Sequence, residues 1–431
     1  MSRLRISTRR TASQPLWPRL RDGDSCGRDR ILAQAAARFG TPSYVYVTDV
    51  IAARLGALRT ALGRWFSVSF AVKSNPNPAL LGWMQGKVDY LDISSGGEFE
   101  LAQTAGWQPD RISFTGPAKR EPELRPVIAA GLGELVIESL REARLANAIA
   151  AELGMVQPVL IRIAPDHVPK GFGDHMAGRP SPFGIDIEDA EQILPQIAAL
   201  PNLRIIGLHI YSGTQSLKPD AICENWRIFL EVFTRLSEAL DLTPEKLIFG
   251  SGLGIPHHPG EVELDLDAIA QSIAPDLDAF RALPRFAGTR LVLELGRYLV
   301  GPAGYFLTRV VSVKQSRGTR IAICDGGMNA NLAASGNFGM VIRRNYVLHR
   351  VEDGTAPPEE KHDITGPLCT SIDKLGSGVM LPRLEEGDLV ALHAAGAYGP
   401  TASPVYFISH PLPSEIMVTD GQMQDVTRLR R

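Results

Sequence analysis

Between residues 67 and 296 the chain repeats one pattern eight times: a short β-branched or apolar run closed by small or polar residues, then a longer stretch with helical spacing. The runs are SVSFAVK (67–73), YLDISS (90–95), RISFT (111–115), LVIE (135–138), PVLIRI (158–163), IIGLHIY (205–211), KLIFGSG (246–252) and RLVLELG (290–296). The segments between them, such as SGGEFELAQTAG and SLREARLANAIAAELG, have helical apolar spacing, and the second ends in a glycine suited to a C-cap. Eight strand–helix units predict an α/β fold, a (β/α)8 TIM-type barrel with its active site at the C-terminal ends of the strands.

A length of 431 residues exceeds what one core supports, so a second domain is expected. Beyond residue 300 the pattern becomes strands without obvious helices, FLTRVVSVKQ, TRIAICDGG and GDLVALHAAG, which predicts a C-terminal β-rich domain. The opening strand SYVYVTD (43–49) precedes the barrel and is a candidate member of that sheet. The expected division is a disordered basic tail at 1–25, a segment at 26–50 joining the β domain, the barrel at 51–296, and the β domain at 297–431. The tail reading rests on six arginines and no acid in residues 1–21. A transit peptide shares that composition, but no apolar leader follows. Residues 165–184, with four Gly and four Pro, predict a long loop of the kind that often covers an active site.

A formal net charge of −2, with no basic run on a periodic segment, leaves no footprint for nucleic acid or a membrane surface. No window nears the ~18 apolar residues of a spanning helix. The four cysteines, Cys26, Cys223, Cys324 and Cys369, are scattered and form no C-x-x-C pair. They are expected to be reduced, in a soluble cytoplasmic protein with a small-molecule partner. No metal is implied.

The polar residues that stand out fall at strand ends. Lys73 closes the first run, where partial desolvation would lower its pKa and favour a nucleophilic amine. Taken alone it reads more readily as a snorkelling surface lysine. Gly252-Leu253-Gly254 form a turn that could admit phosphate to backbone N–H groups, or simply a tight turn. Ser212 and Gly213 could add donors. His209 shares a strand face with Tyr211 and could be structural or stack on a flat ligand. Glu294 would be costly to bury without a cation or a shared proton. A protonated pyridine nitrogen would serve, as would an ion pair with Arg297 or Arg162.

The motifs FAVKSNPNP, DISSGGE, HIYSGTQ, GSGLGIP, ELGRYLVGPAG, GPLCTSIDKL and GAYG, in this order, resemble the diaminopimelate/ornithine decarboxylase family, the fold-type III pyridoxal-phosphate enzymes. The likeness runs over nearly the whole chain beyond residue 40. It implies pyridoxal 5′-phosphate on Lys73 as a Schiff base, His209 on the pyridine face, and Glu294 at the ring nitrogen. Ser212, Gly252, Gly254 and Tyr398 would hold the phosphate, with Arg297 contacting cofactor and substrate. It also implies a homodimer in which Cys369 and Asp373 reach the opposite active site, Cys369 as the acid that reprotonates the α-carbon.

The chain departs from the family pattern at two places. The usual E-P-G-R is Glu294-Leu295-Gly296-Arg297, which should affect only the backbone. Diaminopimelate decarboxylases place Glu directly after the active-site cysteine to receive the distal amino group, whereas this chain has Thr370. CTSID is nearer to the subgroup that decarboxylates carrier-protein-linked glutamyl groups. Arg343, Arg344 and Tyr346, near where the family binds a distal carboxylate, keep an acidic substrate tail open. The resemblance therefore implies decarboxylation of an amino acid, diaminopimelate-like or part of a larger or carrier-bound intermediate. A racemase on the same fold is disfavoured by Glu294 and Cys369. A catalytically silent regulator is disfavoured by the retained Lys73, Gly252, Gly254, Glu294 and Cys369.

Overall fold

The structure is a computed structural model that describes residues 25–338, 343–351 and 357–428. Apart from Ser25, the expected basic tail lies outside the described residues. A helix, Ser25–Phe39, precedes strand β1 (Ser43–Val47) and a second helix, Thr48–Leu62. Eight strands follow: β2 (Phe66–Ala71), β3 (Tyr90–Ile93), β4 (Ile112–Phe114), β5 (Glu134–Ile137), β6 (Gln157–Ala164), β7 (Leu203–Ile210), β8 (Lys246–Gly250) and β9 (Arg290–Leu295). Each pairs in parallel with its successor, and β9 pairs back onto β2 to close the barrel.

The eight apolar runs of the sequence are these eight strands. One boundary matters for chemistry. Strand β2 stops at Ala71, and Lys73 sits on the 3-10 turn Val72–Ser74, just past the strand rather than on it. The strands are buried on both faces, as parallel strands under helices must be, which explains their near-continuous apolar runs. Ser95 and Ser139 end two strand–helix turns and accept the N–H groups of Glu98 and Glu142 at 3.2 Å, capping the helices Gly96–Thr104 and Leu140–Glu152. Gly154 takes φ +66° just past the second helix, as its C-terminal position requires.

The barrel interior is layered. At the strand starts the ammonium of Lys246 donates to both carboxylate oxygens of Glu134, at 2.7 and 2.8 Å, and lies 3.9 Å from the centre of the Tyr90 ring. Above them Val136, Leu160, Ile206, Ile248 and Val292 form an apolar plug with Tyr90. The ionisable groups of the C-terminal face sit on top of it. Strict alternation would not bring both Ile206 and His209 inward, and the register shift between Val159 and Leu160 against β7 accommodates them.

Apart from three two-residue strands in the barrel's loops, Asp174–His175, Ile185–Asp186 and Gly213–Thr214, the remaining strands are β10 (Gly304–Ser316), β11 (Thr319–Cys324), β12 (Leu348–Arg350), β13 (Glu360–Thr365), β14 (Lys374–Leu381), β15 (Leu389–Leu392), β16 (Ser414–Thr419) and β17 (Gln422–Asp425). They form one sheet with β1, in the order β14-β13-β11-β10-β1-β16-β17, with β15 pairing both β10 and β12. The N-terminal strand does join the later sheet: β1 runs antiparallel to β10 and parallel to β16. Tyr44 and Tyr46 fix it there, donating to the Ala330 carbonyl at 2.7 Å and to Glu415 at 3.0 Å. Among the described residues no helix is long and apolar enough to cross a membrane.

The buried pair at the barrel floor gives a stability prediction. Removing one member of a buried ion pair strands its partner and costs about 3–5 kcal/mol. Lys246→Met should therefore lower the melting temperature markedly, whereas Lys246→Met with Glu134→Leu should recover most of the loss. Thermal melts of the two variants beside the wild type check this, and equal destabilisation by both would contradict it.

Candidate active site

The turns that follow the barrel strands bring one amine and several acids together. Lys73 projects from its 3-10 turn to within 5.7 Å of the centre of the Tyr211 ring. Asp92 on β3 and Glu294 on β9 are both buried. Burial pushes the Asp92 carboxyl up to about 7, and Glu294 adds to the rise. Burial raises Glu294 as well, against the pull of Lys73 and Arg162. Sequence reasoning expected a depressed Lys73. Burial does act in that direction, but Asp92 and Glu294 outweigh it and hold the ammonium well above its usual value. With only these side chains around it, Lys73 is a cation held in the field of two nearby acids rather than a pre-formed neutral nucleophile.

His209 lies fully buried beside Glu294, with Nε2 3.5 Å from Oε1. Burial, with Arg162 adding, brings the imidazole down to about 3, so the contact joins a neutral ring to an acid and is not an ion pair. Behind them Arg162 donates to Glu138 at 3.0 Å, and Glu138 also accepts the N–H groups of Gly116 and Gly184 at 2.6 and 3.0 Å. Arg162 is thus neutralised by Glu138, and Arg297 points elsewhere. Neither of the ion pairs considered for Glu294 forms.

The loop after β8 supplies a close-packed turn. Gly252 takes φ +71°, and a Cβ there would fall 2.5 Å from the Phe172 ring, which belongs to the loop 165–184. That loop is tied down where Asp174–His175 pairs with Gly213–Thr214. Gly254 was expected to donate to phosphate, but its N–H is given to the Ser216 carbonyl at 2.9 Å. A Cβ at Gly254 would lie 2.7 Å from that oxygen, so this glycine is required by close packing instead. Ser212 is fully buried. Its hydroxyl has no partner among the described residues.

The β domain closes the site from the other side. Tyr398 adopts φ +53° and donates its N–H to the Ser74 carbonyl at 2.8 Å, while Asn75 donates to the Gly396 carbonyl at 3.0 Å. These bonds clamp the Lys73 turn to the loop carrying Tyr398. The guanidinium of Arg297 lies 4.7 Å from the centre of the Tyr398 ring, and its Nη1 is 3.4 Å from His257 Nε2. The His257 ring in turn packs on Tyr346, centroids 4.9 Å apart. The structure thus links Arg297 and Tyr346 through a histidine that sequence reasoning overlooked.

The other expected residues are placed differently. Cys369 is exposed on the loop between β13 and β14, so it is not a core thiol. Asp373, expected to reach substrate, is buried, and its carboxylate accepts the N–H groups of Met328 at 2.6 Å and Leu368 at 2.8 Å. It lies against Gly327 and Gly366, where any Cβ would collide with its oxygens. Its carboxylate braces the cysteine loop within its own subunit. Arg343 is exposed and donates to the Lys374 carbonyl; Arg344 pairs with Glu261 at 2.7 Å. Asp92 was missed, although an acid inside the apolar run YLDI was a visible signal.

A closed barrel with an amine ringed by buried acids at its C-terminal face defines an enzyme built for amine–carbonyl chemistry on a charged ligand. Comparison with known proteins names the class. Residues 48–301 match the family model described as pyridoxal-dependent decarboxylase, pyridoxal binding domain, and the chain belongs to this family. It is 34% identical over 397 residues to an L-glutamyl-[BtrI acyl-carrier protein] decarboxylase of Niallia circulans, covering 91% of this chain and 92% of that protein. It is 32% identical to the diaminopimelate decarboxylase of Zymomonas mobilis, covering 94% and 93%. Diaminopimelate decarboxylase from Helicobacter pylori, solved complexed with L-lysine, superposes with a TM-score of 0.81 at 25% identity, covering 92% of this chain and 96% of that one. The protein is a pyridoxal-dependent carboxy-lyase acting on an amino acid.

The side chains present fit such a cofactor. Buried polar atoms without a protein partner gather here: Asp92 Oδ2, both His209 nitrogens, Ser212 Oγ, Glu294 Oε1 and Arg297 Nε. Groups of this kind are costly unless something satisfies them. Together with Lys73 they offer an amine, an acid, a flat ring and phosphate donors.

Because Asp92 sustains the Lys73 ammonium, Asp92→Asn should shift the amine's titration to lower pH. In the apoprotein, acylation of Lys73 by an amine-directed reagent, located by peptide mapping across a pH series, should reach its half-maximal rate at lower pH in the variant. An unchanged profile would show that Asp92 does not control this amine.

Proposed function

We propose that the chain carries pyridoxal 5′-phosphate on Lys73 and removes the α-carboxylate from an amino-acid unit attached to a carrier or to a larger biosynthetic intermediate, acting as a homodimer. When bound, the cofactor supplies an electron-withdrawing ring that accepts the electron pair left by the departing carboxylate. Lys73 would hold the cofactor through its amine, and Glu294 would keep the ring nitrogen protonated. The neutral His209 imidazole would lie against the ring, and Ser212, Gly252, Arg297 and Tyr398 would hold the phosphate. Cys369, exposed on its own subunit, would be the proton donor to the second copy's site.

The observation that carries the substrate reading is Thr370. A free diaminopimelate or ornithine presents a distal ammonium, and the position after Cys369 offers it a hydroxyl instead of a carboxylate. A distal carboxylate fares little better, because Arg343 and Arg344 are already engaged with Lys374 and Glu261. A glutamyl unit joined through its distal carboxyl group to a carrier has neither charge at that end. The Niallia circulans relative, named for such a substrate, supports the same reading. So does an open groove of about 530 Å³ beside the site, lined by Pro76, Ser95, Glu98, Tyr406 and Arg428 among others.

The test is CO2 release by the cofactor-loaded protein from a glutamyl-carrier thioester, meso-diaminopimelate, ornithine, lysine and arginine assayed side by side. Release should be confined to the thioester, and Lys73→Ala should abolish both release and the absorbance band of bound cofactor. Rapid release from meso-diaminopimelate with none from the thioester would overturn the substrate reading and leave a diaminopimelate decarboxylase. Full turnover by Lys73→Ala would overturn the mechanism.

A further inference from the structure

The groove beside the site is walled by the chain segments that carry the site itself. Pro76 follows Lys73 by three residues, Ser95 follows Asp92 by three, and Pro400 follows Tyr398 by two. Leu101, Val405 and Tyr406 add apolar surface. Glu98 lies in the same wall, and its carboxyl feels Asp92 and Lys73 as well as Arg428. Arg428 is exposed, so the groove runs from the neighbourhood of the amine out to water.

Among the described residues that line the groove, Glu98 and Arg428 alone carry a formal charge. Burial, with Asp92 adding, pushes Glu98 up to about 7. The walls are thus close to neutral, with one lasting cation where the groove meets solvent, and the sequence adds Arg430 and Arg431 within three residues of it. The rim has a second feature. Tyr406, Phe407 and Ile408 are consecutive and 60%, 46% and 46% exposed. Ile408 is held at φ +58° and Ser409 at φ +59°, a region that a β-branched side chain rarely adopts. Showing three large apolar groups to water on a strained turn is costly, and such patches mark places where something binds.

We propose that the groove receives the arm of an acyl carrier, with Arg428 at the arm's phosphate and the rim at 406–408 against the carrier itself. This inference rests on the carrier-bound reading of the substrate and says where the carrier lies. A carrier holds its acyl group as a thioester on a phosphopantetheine arm, which is a run of amides and methyl groups without charge, then one phosphodiester at the carrier's surface. A neutral, partly apolar channel that ends in a cation beside an apolar rim matches that order of groups.

The test compares γ-glutamyl thioesters of N-acetylcysteamine, which keeps only the tip of the arm, of pantetheine and of 4′-phosphopantetheine, on the cofactor-loaded protein. KM should fall about 10-fold or more from the first to the last with kcat nearly constant. Arg428→Ala should remove the step between the last two and leave the first unchanged. Thr401→Trp, on the exposed wall of the groove, should raise KM for the two long esters only. Equal KM for all three esters, or an equal effect of Thr401→Trp on short and long ones, overturns the proposal. If no thioester reacts, the substrate reading has failed, and protection judges the groove by itself. The S-methyl ether of 4′-phosphopantetheine, which cannot be decarboxylated, should slow nitration of Tyr406 in the wild type but not in Thr401→Trp, as read by peptide mapping; no protection overturns the proposal. Phe407→Ser should sediment as the wild type does, and its dissociation into monomers would give the rim to a second copy of the chain and overturn the proposal as well.

Discussion

Three ionisable groups, Lys73, Asp92 and Glu294, share one water-poor spot above the apolar plug of the barrel. Burying even one such charge costs several kcal/mol unless it is compensated. The cluster persists because each member offsets another's cost. Burial and then Glu294 raise the Asp92 pKa, while burial raises Glu294 and a hydrogen bond with Asp92 lowers it, so the pair does not carry two full charges near neutral pH, and the ammonium nearby is stabilised by whichever is ionised. Thr115 donates to Asp92 and fixes its orientation. Arg162 and Glu138 cancel one another just behind, which keeps a loose guanidinium from collapsing onto Glu294. The amine is consequently stored as a cation, and whatever ligand engages it must work against the field of the two acids.

That cluster sits on the end of a barrel and would be open to water if the barrel stood alone. The β domain covers it, and the covering depends on the order of the chain. Because β1 precedes the barrel and yet pairs with both β10 and β16, the chain leaves the sheet, builds the whole barrel, and returns to the same sheet. The two domains are therefore anchored to each other by strand pairing at the barrel's entry and exit. The hydrogen bonds from Asn75 and Tyr398 across the seam can then hold a turn two residues from Lys73 in register with a loop more than three hundred residues later. Ala394 and Ala397 complete the seam by packing into the barrel's own core.

Much of this was legible in the residues because parallel barrel strands are buried on both sides and read as uninterrupted apolar runs. All eight were visible for that reason. Strands such as Lys374–Leu381 and Gln422–Asp425 were not, since they are partly exposed, and the first also contains two glycines, so neither shows the alternation that marks a strand. At the site, Lys73, His209, Ser212 and Glu294 lay at strand ends where a barrel concentrates chemistry. The sign of the Lys73 shift could not be read, because it depends on Asp92 and Glu294, which come from strands on either side of β2. Asp373 is similar. A carboxylate in a polar loop looks available, and only the two backbone N–H groups it accepts reveal that it is built into the fold of its own loop.

The same distinction between a charge that is present and a charge that is free bears on selectivity. The sequence around the site contains Arg162, Arg297, Arg343 and Arg344, enough to suggest a receptor for an acidic tail. Arg162 is answered by Glu138 and Arg344 by Glu261, while Arg343 is bound to a main-chain carbonyl. Arg297 differs from these, since an aromatic face and a neutral histidine give it no counter-charge. Among the described residues, Arg297 is thus the one of these four arginines that a ligand would meet without a counter-charge. A substrate with an ionised group at each end would have to leave one of them unmatched. A substrate whose far end is already joined to something else would not incur that cost.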